Sequence, residues 1–479
     1  MKCLIYVLFF FLLSGYPNIV LANSTEEESL DDVISGFEDE TSTDIDQLID
    51  GFDDDTVQTD IPSKEATNNN SQKSRLIFDY SGHIKLSTTA NVSHKRPEIG
   101  FTDHRGLSRL RAESSIKFNM NFSNKWKARL SAFTKYDFSY QINGKHEYTK
   151  EVLDANESES EFHETYIQGS LTPDLDIWFG RQIVAWGTSE SFRIVDVINP
   201  IDNREFGMVD IEDLRLPIVL TQLNYYAGSW KISSIFIHEN RKFKLPPYGN
   251  DYNLTNIPTP PDKIPANNLK NTQFAAAVIG RFSGWDLSFH AAKYRKHFPH
   301  FEISPMGKIA LNRSILKMLG ATLTVAYGNW LVKSEISGTD GHIFVNMSDK
   351  KKYSMEGMLG LEYSGFKDTN ISFEMMNQHI FKHEYNMLFT PDYIKKNTIQ
   401  SAFRFTRTFF NEKLSLNTLF ILYGLKGQHG TFQRFSLEYD WNDDIDIMFG
   451  SVLYQTGKSY IFKKVQDNDR VFFDIQYSF

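Results

Sequence analysis

From about Ser74 to its last residue the chain alternates apolar and polar side chains with a period of two, and this more than anything else limits what it can fold into. In a strand, successive side chains leave opposite faces of the sheet. Val471, Phe473, Ile475, Tyr477 and Phe479 stand against Phe472, Asp474, Gln476 and Ser478. Leu110, Ala112, Ile116, Phe118, Met120 and Phe122 stand against Arg109, Arg111, Glu113, Lys117, Asn119 and Asn121. The stretch from Trp126 to Tyr140 repeats the arrangement, with Lys127, Arg129, Ser131, Lys135 and Asp137 on its polar side. One face is apolar and the other highly charged.

The alternation also has a longer rhythm. Tight turns at Ser123-Asn124, Pro173-Asp174, Gly228-Ser229, Ser283-Gly284, Gly328-Asn329, Ser364-Gly365, Asn411-Glu412 and Asn442-Asp443 alternate with polar connections that are mostly much longer. Short turns on one side and long loops on the other are the plan of a transmembrane antiparallel β-barrel. Strands are expected near 75–90, 107–122, 126–141, 160–171, 175–186, 217–227, 230–239, 272–282, 285–297, 314–327, 330–338, 353–363, 368–381, 397–410, 413–424, 431–441, 444–456 and 470–479. The fold class is therefore all-β, a barrel of about 18 strands, or 16, over residues 74–479, with both ends on the short-turn side.

A soluble sandwich or propeller also has period-two strands. Two features count against it. Trp126, Trp178, Trp230, Trp285, Trp330 and Trp441 each stand beside a short turn, where an interfacial girdle would place them. The chain also ends in Phe479 within an alternating aromatic strand, an ending that resembles the signal read by the barrel assembly machinery, with Tyr477 and Phe479 as its anchors.

Residues 1–22 have the three parts of a secretory signal peptide: Lys2, the apolar run from Cys3 to Leu13, and a small-residue cleavage site at Ala22. The single cysteine, Cys3, leaves with it, which excludes disulfides and thiol catalysis. No later stretch approaches the roughly 20 apolar residues of a membrane-spanning helix.

Residues 23–73 form an acidic tail expected to be disordered, with fifteen Asp and Glu and no Lys or Arg between 24 and 60. Without those fifteen and Lys2, the 51 basic and 60 acidic residues become 50 against 45, so the remainder is basic. Within the tail one pattern occurs twice, at 29–40 and 44–55. Leu30, Val33, Ile34 and Phe37, and then Ile45, Leu48, Ile49 and Phe52, fall at helical spacing and make one apolar stripe each. So short a helix is marginal alone, which suggests docking into a groove of another protein; a solvated acidic spacer is the competing reading.

The alternation stops between Trp186 and Pro217. That stretch mixes apolar residues with charge, so it is neither a strand nor a flexible polar loop, and a connection of this length is usually functional. The expectation is a loop folded into the lumen that narrows or closes the pore. Its candidate residues, with the strand residue Arg181 before it, are Trp186, Arg193, Asp196, Asn199, Asp202, Arg204, Asp210, Asp213 and Arg215. They would pair with one another and with lumen-wall cations, for which Arg109, Arg111, Lys117, Arg129 and Lys135 are the candidates.

Here the sequence also resembles a known family. Gly180-Arg181-Gln182 with Trp186-Gly187, then Asp196-Val-Ile-Asn199-Pro200, then Asp210 with Glu212-Asp213-Leu214-Arg215-Leu216-Pro217, looks like a family of largely uncharacterised Gram-negative outer-membrane barrels. These are often encoded beside RND/MMPL-type exporters and a periplasmic lipoprotein-carrier-like protein, and are more remotely similar to alginate-export barrels and other porins. The resemblance spans Ile77 to Phe479, although its specific motifs lie only between Gly180 and Pro217. It implies an outer-membrane location and a role in export or envelope lipid traffic. The partners expected are outer-membrane lipid, the barrel assembly machinery and, through a periplasmic tail, a periplasmic or RND-type transport component, with no nucleic acid and no cofactor. No Gly-x-Ser-x-Gly elbow or His-Glu-x-x-His occurs, and a conduit is expected rather than an enzyme.

Overall fold

A computed structural model describes residues 77–479, except 211–212, 256–257, 305, 346–349 and 390–392. The expected signal peptide over 1–22 and the acidic tail over 23–73, with its motifs at 29–40 and 44–55, lie outside the described residues.

The strands are β1 (Ile77–Asn91), β2 (Gly106–Ser123), β3 (Trp126–Asp137), β4 (Ser158–Thr172), β5 (Leu175–Gln182), β6 (Ile218–Ala227), β7 (Trp230–Ile237), β8 (Gln273–Phe282), β9 (Trp285–Arg295), β10 (His300–Ile303), β11 (Ile309–Asn312), β12 (Ile315–Tyr327), β13 (Trp330–His342), β14 (Lys352–Phe366), β15 (Thr369–Ile380), β16 (Asn397–Phe409), β17 (Leu414–Tyr423), β18 (Gly430–Asn442), β19 (Ile445–Gln455) and β20 (Arg470–Ser478). β10 and β11 form a small hairpin of their own; the other strands make one 18-stranded sheet. Each pairs with the next, β9 continues to β12, and β20 pairs antiparallel with β1 from His83↔Ser478 to Asn91↔Arg470. The sheet is thus the closed 18-stranded barrel that the turn rhythm led us to expect. Closure matters because an open edge in hydrocarbon would leave backbone N–H and C=O groups without partners.

Two strands stop four residues earlier than the alternation suggests. β3 ends at Asp137, not near 141, because that buried carboxylate accepts from the backbone N–H groups of Leu110 and Ser139 and from the Ser139 hydroxyl, turning the chain into a short helix, α1 (Ser139–Ile142). β5 ends at Gln182, not near 186, because the next N–H groups leave the ladder for side-chain partners. Two more short helices, α2 (Lys150–Asn156) and α3 (Tyr460–Val465), lie in long connections.

The outer face is apolar, with Phe289, Leu319, Leu359, Phe373 and Phe449 all well exposed. Near the short turns aromatic rings gather on it: Trp285 stacks on Phe282 at 4.3 Å between centroids, and Trp330 meets Tyr363 at 4.4 Å. Trp178 does not join them. It lies four residues from the inward, 1% exposed Gln182 on β5, hence on the same face, and it stacks on the inward-facing Tyr166 at 5.4 Å. Nearness to a turn says how deep a residue sits, not which face it takes.

The inner face has two characters. Along β1–β4 it carries Lys85, Arg109, Arg111, Arg129, Lys135, Glu159 and Glu164, largely in ion pairs. Lys117 stands on the same face of β2, in register with Ser81 and Ser131. That charged face does not continue around the barrel. From β6 to β12 inward positions hold Leu220, Ile235, Ala277, Leu316 and Met318, each no more than 2% exposed. They are shielded from water because residues 183–217 cover them.

Candidate functional site

Residues 183–217 leave β5, reach side chains of β2, β4, β13, β15, β16 and β18, and return to β6. A segment bonded to strands on opposite sides of a closed sheet lies across the lumen. It has two legs, which dock by different means.

The first leg, 183–198, is mostly apolar, with Glu190 paired to Lys333 of β13 and Arg404 of β16. Val184, Trp186, Phe192, Ile194, Val195 and Ile198 are at most 8% exposed and belong to one cluster with the apolar wall. Trp186 packs against His290 at 4.7 Å between centroids. Gly320 on β12 makes room, since a Cβ there would stand 2.6 Å from the Val195 side chain. At its turn the leg presents backbone N–H groups to two wall carboxylates. Glu335 on β13 accepts from Thr188 N at 2.5 Å and Ser189 N at 2.8 Å. Glu374 on β15 accepts from the Ser189 hydroxyl at 2.7 Å and from the N–H groups of Glu190 and Ser191, both at 3.1 Å. Gly187 allows this: its φ is +88°, and a Cβ would stand 2.7 Å from a Glu335 oxygen. The two carboxylates are 3% and 1% exposed, and these donors offset the cost of burying them.

The second leg, 199–217, is charged and folds on itself. Asn199, fully buried, accepts from Val184 N at 2.8 Å and donates to the carbonyls of Gln182 at 3.2 Å and Leu216 at 2.9 Å, tying the segment's departure to its return. Asp196 receives both Arg193 at 2.9 Å and Arg215 at 3.0 Å. Arg204 bonds Asp202 beside it and Glu159 on β4. Glu205 takes Arg109 and Arg111 of β2, and Asp210 takes Arg404 of β16 and Arg434 of β18. Burial alone would raise the carboxyls of Asp202, Glu205 and Asp210; their arginine partners outweigh it and hold all three below the usual range. All three therefore stay ionised at neutral pH.

The expected loop and wall residues are thus brought together in part. Arg109 and Arg111 meet the segment, while Lys135 reaches it only through Glu159. Arg129 pairs with Glu164 of the wall instead, and Arg181 with Glu161 and Glu239. In both cases an acid on the adjacent strand or loop is simply nearer than the segment. Asp213 stays exposed. Sequence reasoning missed Glu205, Glu335 and Glu374. Glu205 sits in the same mixed stretch and could have been named; the other two lie in ordinary alternating strands more than 140 residues from the N–H groups they hold, and nothing local marks them.

Other long connections close over the same end. His297, just beyond β9, places Nε2 3.1 Å from the carbonyls of Val197 and Ile198 and Nδ1 3.2 Å from that of Arg241. Burial, helped by the Arg193 charge, lowers its pKa to about 4 against the pull of those carbonyls. Asp251 in the 238–272 connection holds Arg470 at 2.5 Å, and Tyr252 donates to or accepts from Tyr454 at 2.9 Å.

A family described as a protein of unknown function, DUF1302, matches residues 56–479. The chain belongs to that family. No curated protein matches the sequence. Among solved structures, OccAB1 of Acinetobacter baumannii is similar at a TM-score of 0.49 and 8% identity, over 84% of this chain and 96% of that one. OccK2 (OpdF) of Pseudomonas aeruginosa is similar at 0.49 and 8%, over 84% and 97%. A loop-deleted form of OmpT, an outer membrane protein of Vibrio cholerae, follows at 0.40 and 8%, over 84% and 99%. At these identities the likeness concerns the fold alone.

Proposed function

We propose that the protein is a conduit of a Gram-negative outer membrane whose passage is governed by the segment between β5 and β6. The observation that carries this is the segment's course: it lies across a closed barrel and is held by buried side chains from both sides. The outer-membrane reading is supported by the apolar, aromatic-rimmed outer face. The barrel assembly machinery would insert the chain through its Tyr477 and Phe479 ending. The reaction class is transport, with no covalent chemistry.

The finer reading couples the conduit, through its tail, to a periplasmic or RND-type component in export or envelope lipid traffic. Phe37 with Leu30, Val33 and Ile34, and Phe52 with Ile45, Leu48 and Ile49, would be the anchors. One short helix binds weakly, and two on a tether can gain roughly a hundredfold in apparent affinity. A stand-alone porin, with the tail as a spacer, is the alternative. In cells, F37A/F52A is expected to abolish transport-linked function while the barrel still assembles. Full function with unchanged periplasmic partners would leave the porin reading. The conduit itself is tested by planar-bilayer recording of the purified protein: wild type should conduct far less than a variant lacking 186–217. Equal conductance of the two would overturn the role of the segment.

A further inference from the structure

A groove of about 860 Å³ opens not on the lumen but on the outside of the wall, over β8, β9, β12, β13 and β14. Its floor includes Ala276, Ala291 and Ala321, one small residue from each of three neighbouring strands; the Tyr353 side chain of β14 lies over Gly338 of β13, and Leu319 and Ile336 stand up beside them. At its upper edge Lys293 of β9 and Lys317 of β12 are directly opposite each other, both exposed, two residues from the long-loop ends of their strands. Asp340 of β13 is opposite Lys317 on the other side. Among the described residues none of these three makes a hydrogen bond or an ion pair of 4.0 Å or less. Between their ends, the outward positions of these five strands carry no other charge.

This placement needs an account. Charge on the lipid face of a barrel is unfavourable, and like charges directly opposite in an antiparallel pair repel. Asp340 offsets one lysine and leaves one positive charge in excess. An anion seated over both ammonium groups would remove the repulsion, and whatever carries it must also lay hydrocarbon over the apolar floor. Small residues in the floor let acyl chains approach the backbone, where a larger side chain would stand in their way.

We propose that this groove is a docking site for a phosphorylated, multiply acylated lipid of the outer leaflet, its phosphate bridging Lys293 and Lys317 and its acyl chains lying along Ala276, Ala291 and Ala321. The proposal rests on the outer-membrane reading above. Its position near the long-loop ends puts the phosphate at the outer headgroup level when both chain ends face the periplasm.

The test uses the full mature chain, purified from outer membranes and placed in phosphatidylcholine nanodiscs with added bis-phosphorylated lipid A or its dephosphorylated form, with binding read by native mass spectrometry. Wild type should favour the phosphorylated lipid by tenfold or more. K293Q/K317Q should lose that preference, D340N should strengthen it, and A321F should weaken both lipids alike by filling the floor. Heat-shifted gel mobility of each variant shows that its barrel is intact. Wild-type protein that does not discriminate, or K293Q/K317Q protein that discriminates as well as wild type, overturns the site. Flotation and fractionation of the cells test the membrane itself, so a protein absent from outer membranes overturns the location independently of the lipid preference.

Discussion

The two legs of the segment across the lumen solve the same problem in different ways. The first has buried apolar residues against an apolar wall and hands its backbone N–H groups to Glu335 and Glu374; the second is held by side-chain ion pairs with Arg109, Arg111, Arg404 and Arg434. Apolar burial does not depend on ionic strength, while partly exposed ion pairs are screened by salt. Glu205 retains 31% side-chain exposure and Asp210 20%, whereas Glu335 and Glu374 are nearly sealed off. At neutral pH the first leg is therefore the less salt-sensitive attachment, and the second is the one that ionic strength loosens more.

Removing both legs should have the largest effect. Deletion of 186–217 takes away Glu190, Asp196, Asp202, Glu205, Asp210, Glu212 and Asp213 but only Arg193, Arg204 and Arg215. Arg109, Arg404 and Arg434 then lose their partners, while Glu335 and Glu374 lose theirs. The wall is left with a cationic surplus, and an anion preference is expected in reversal-potential measurements. A cation-selective pore would show that the wall acids dominate.

A more selective change falls on Glu335 and Glu374, the wall carboxylates that hold the first leg's turn. E335A/E374A removes every bond from the first leg's turn to those carboxylates and should cost about 3 kcal/mol or more, as for hydrogen bonds to charged groups. That shifts the docked-to-free ratio by roughly a hundredfold. Long openings in bilayer recordings would report it, and unaltered conductance would mean that apolar packing with the Glu190 ion pairs to Lys333 and Arg404 is enough to hold the leg.

Acid should separate the legs. Burial holds His297 near 4, and undocking the leg exposes its ring and moves it back towards the ordinary 6.5, so its contribution is complete above pH 6.5 and falls as the pH drops towards 4. From pH 7 to 5 the first leg should lose at most about 2 kcal/mol. Asp202, Glu205 and Asp210 have lowered pKa values, so the second leg keeps its full contribution until the pH falls below about 4. Hydrogen exchange of 183–198 should accelerate between pH 7 and 5 after correction for intrinsic rates, and H297F should lessen that change.

R109Q/R111Q should free only the second leg, at about 1–2 kcal/mol given the partial exposure of Glu205. R129Q, whose partner is the wall acid Glu164, should change docking by less than about 0.5 kcal/mol. Proteolysis in the 199–217 leg would rank the two.

The barrel was legible in the sequence because strand alternation and turn rhythm are local signals, repeated often enough that the strand count survives errors of several residues at the ends of β3 and β5. The inward turn of Trp178 was not, since the girdle argument used depth without parity. Within the segment, Asn199, Asp196 and the arginines around them stood out by composition. Their roles did not, because a residue such as Glu374 becomes part of the site only when β15 closes opposite β5, 184 positions from the N–H of Glu190.

The pairing of β20 with β1 limits how the barrel can be built. Those strands meet through nine residue pairs, and the terminal Phe479 exchanges two backbone hydrogen bonds with Gly82. Once that seam is zipped, the wall has no sideways opening, so residues 183–217 are either inside before the first and last strands meet or enter afterwards through the barrel mouth. Thereafter the segment can travel only along the barrel axis.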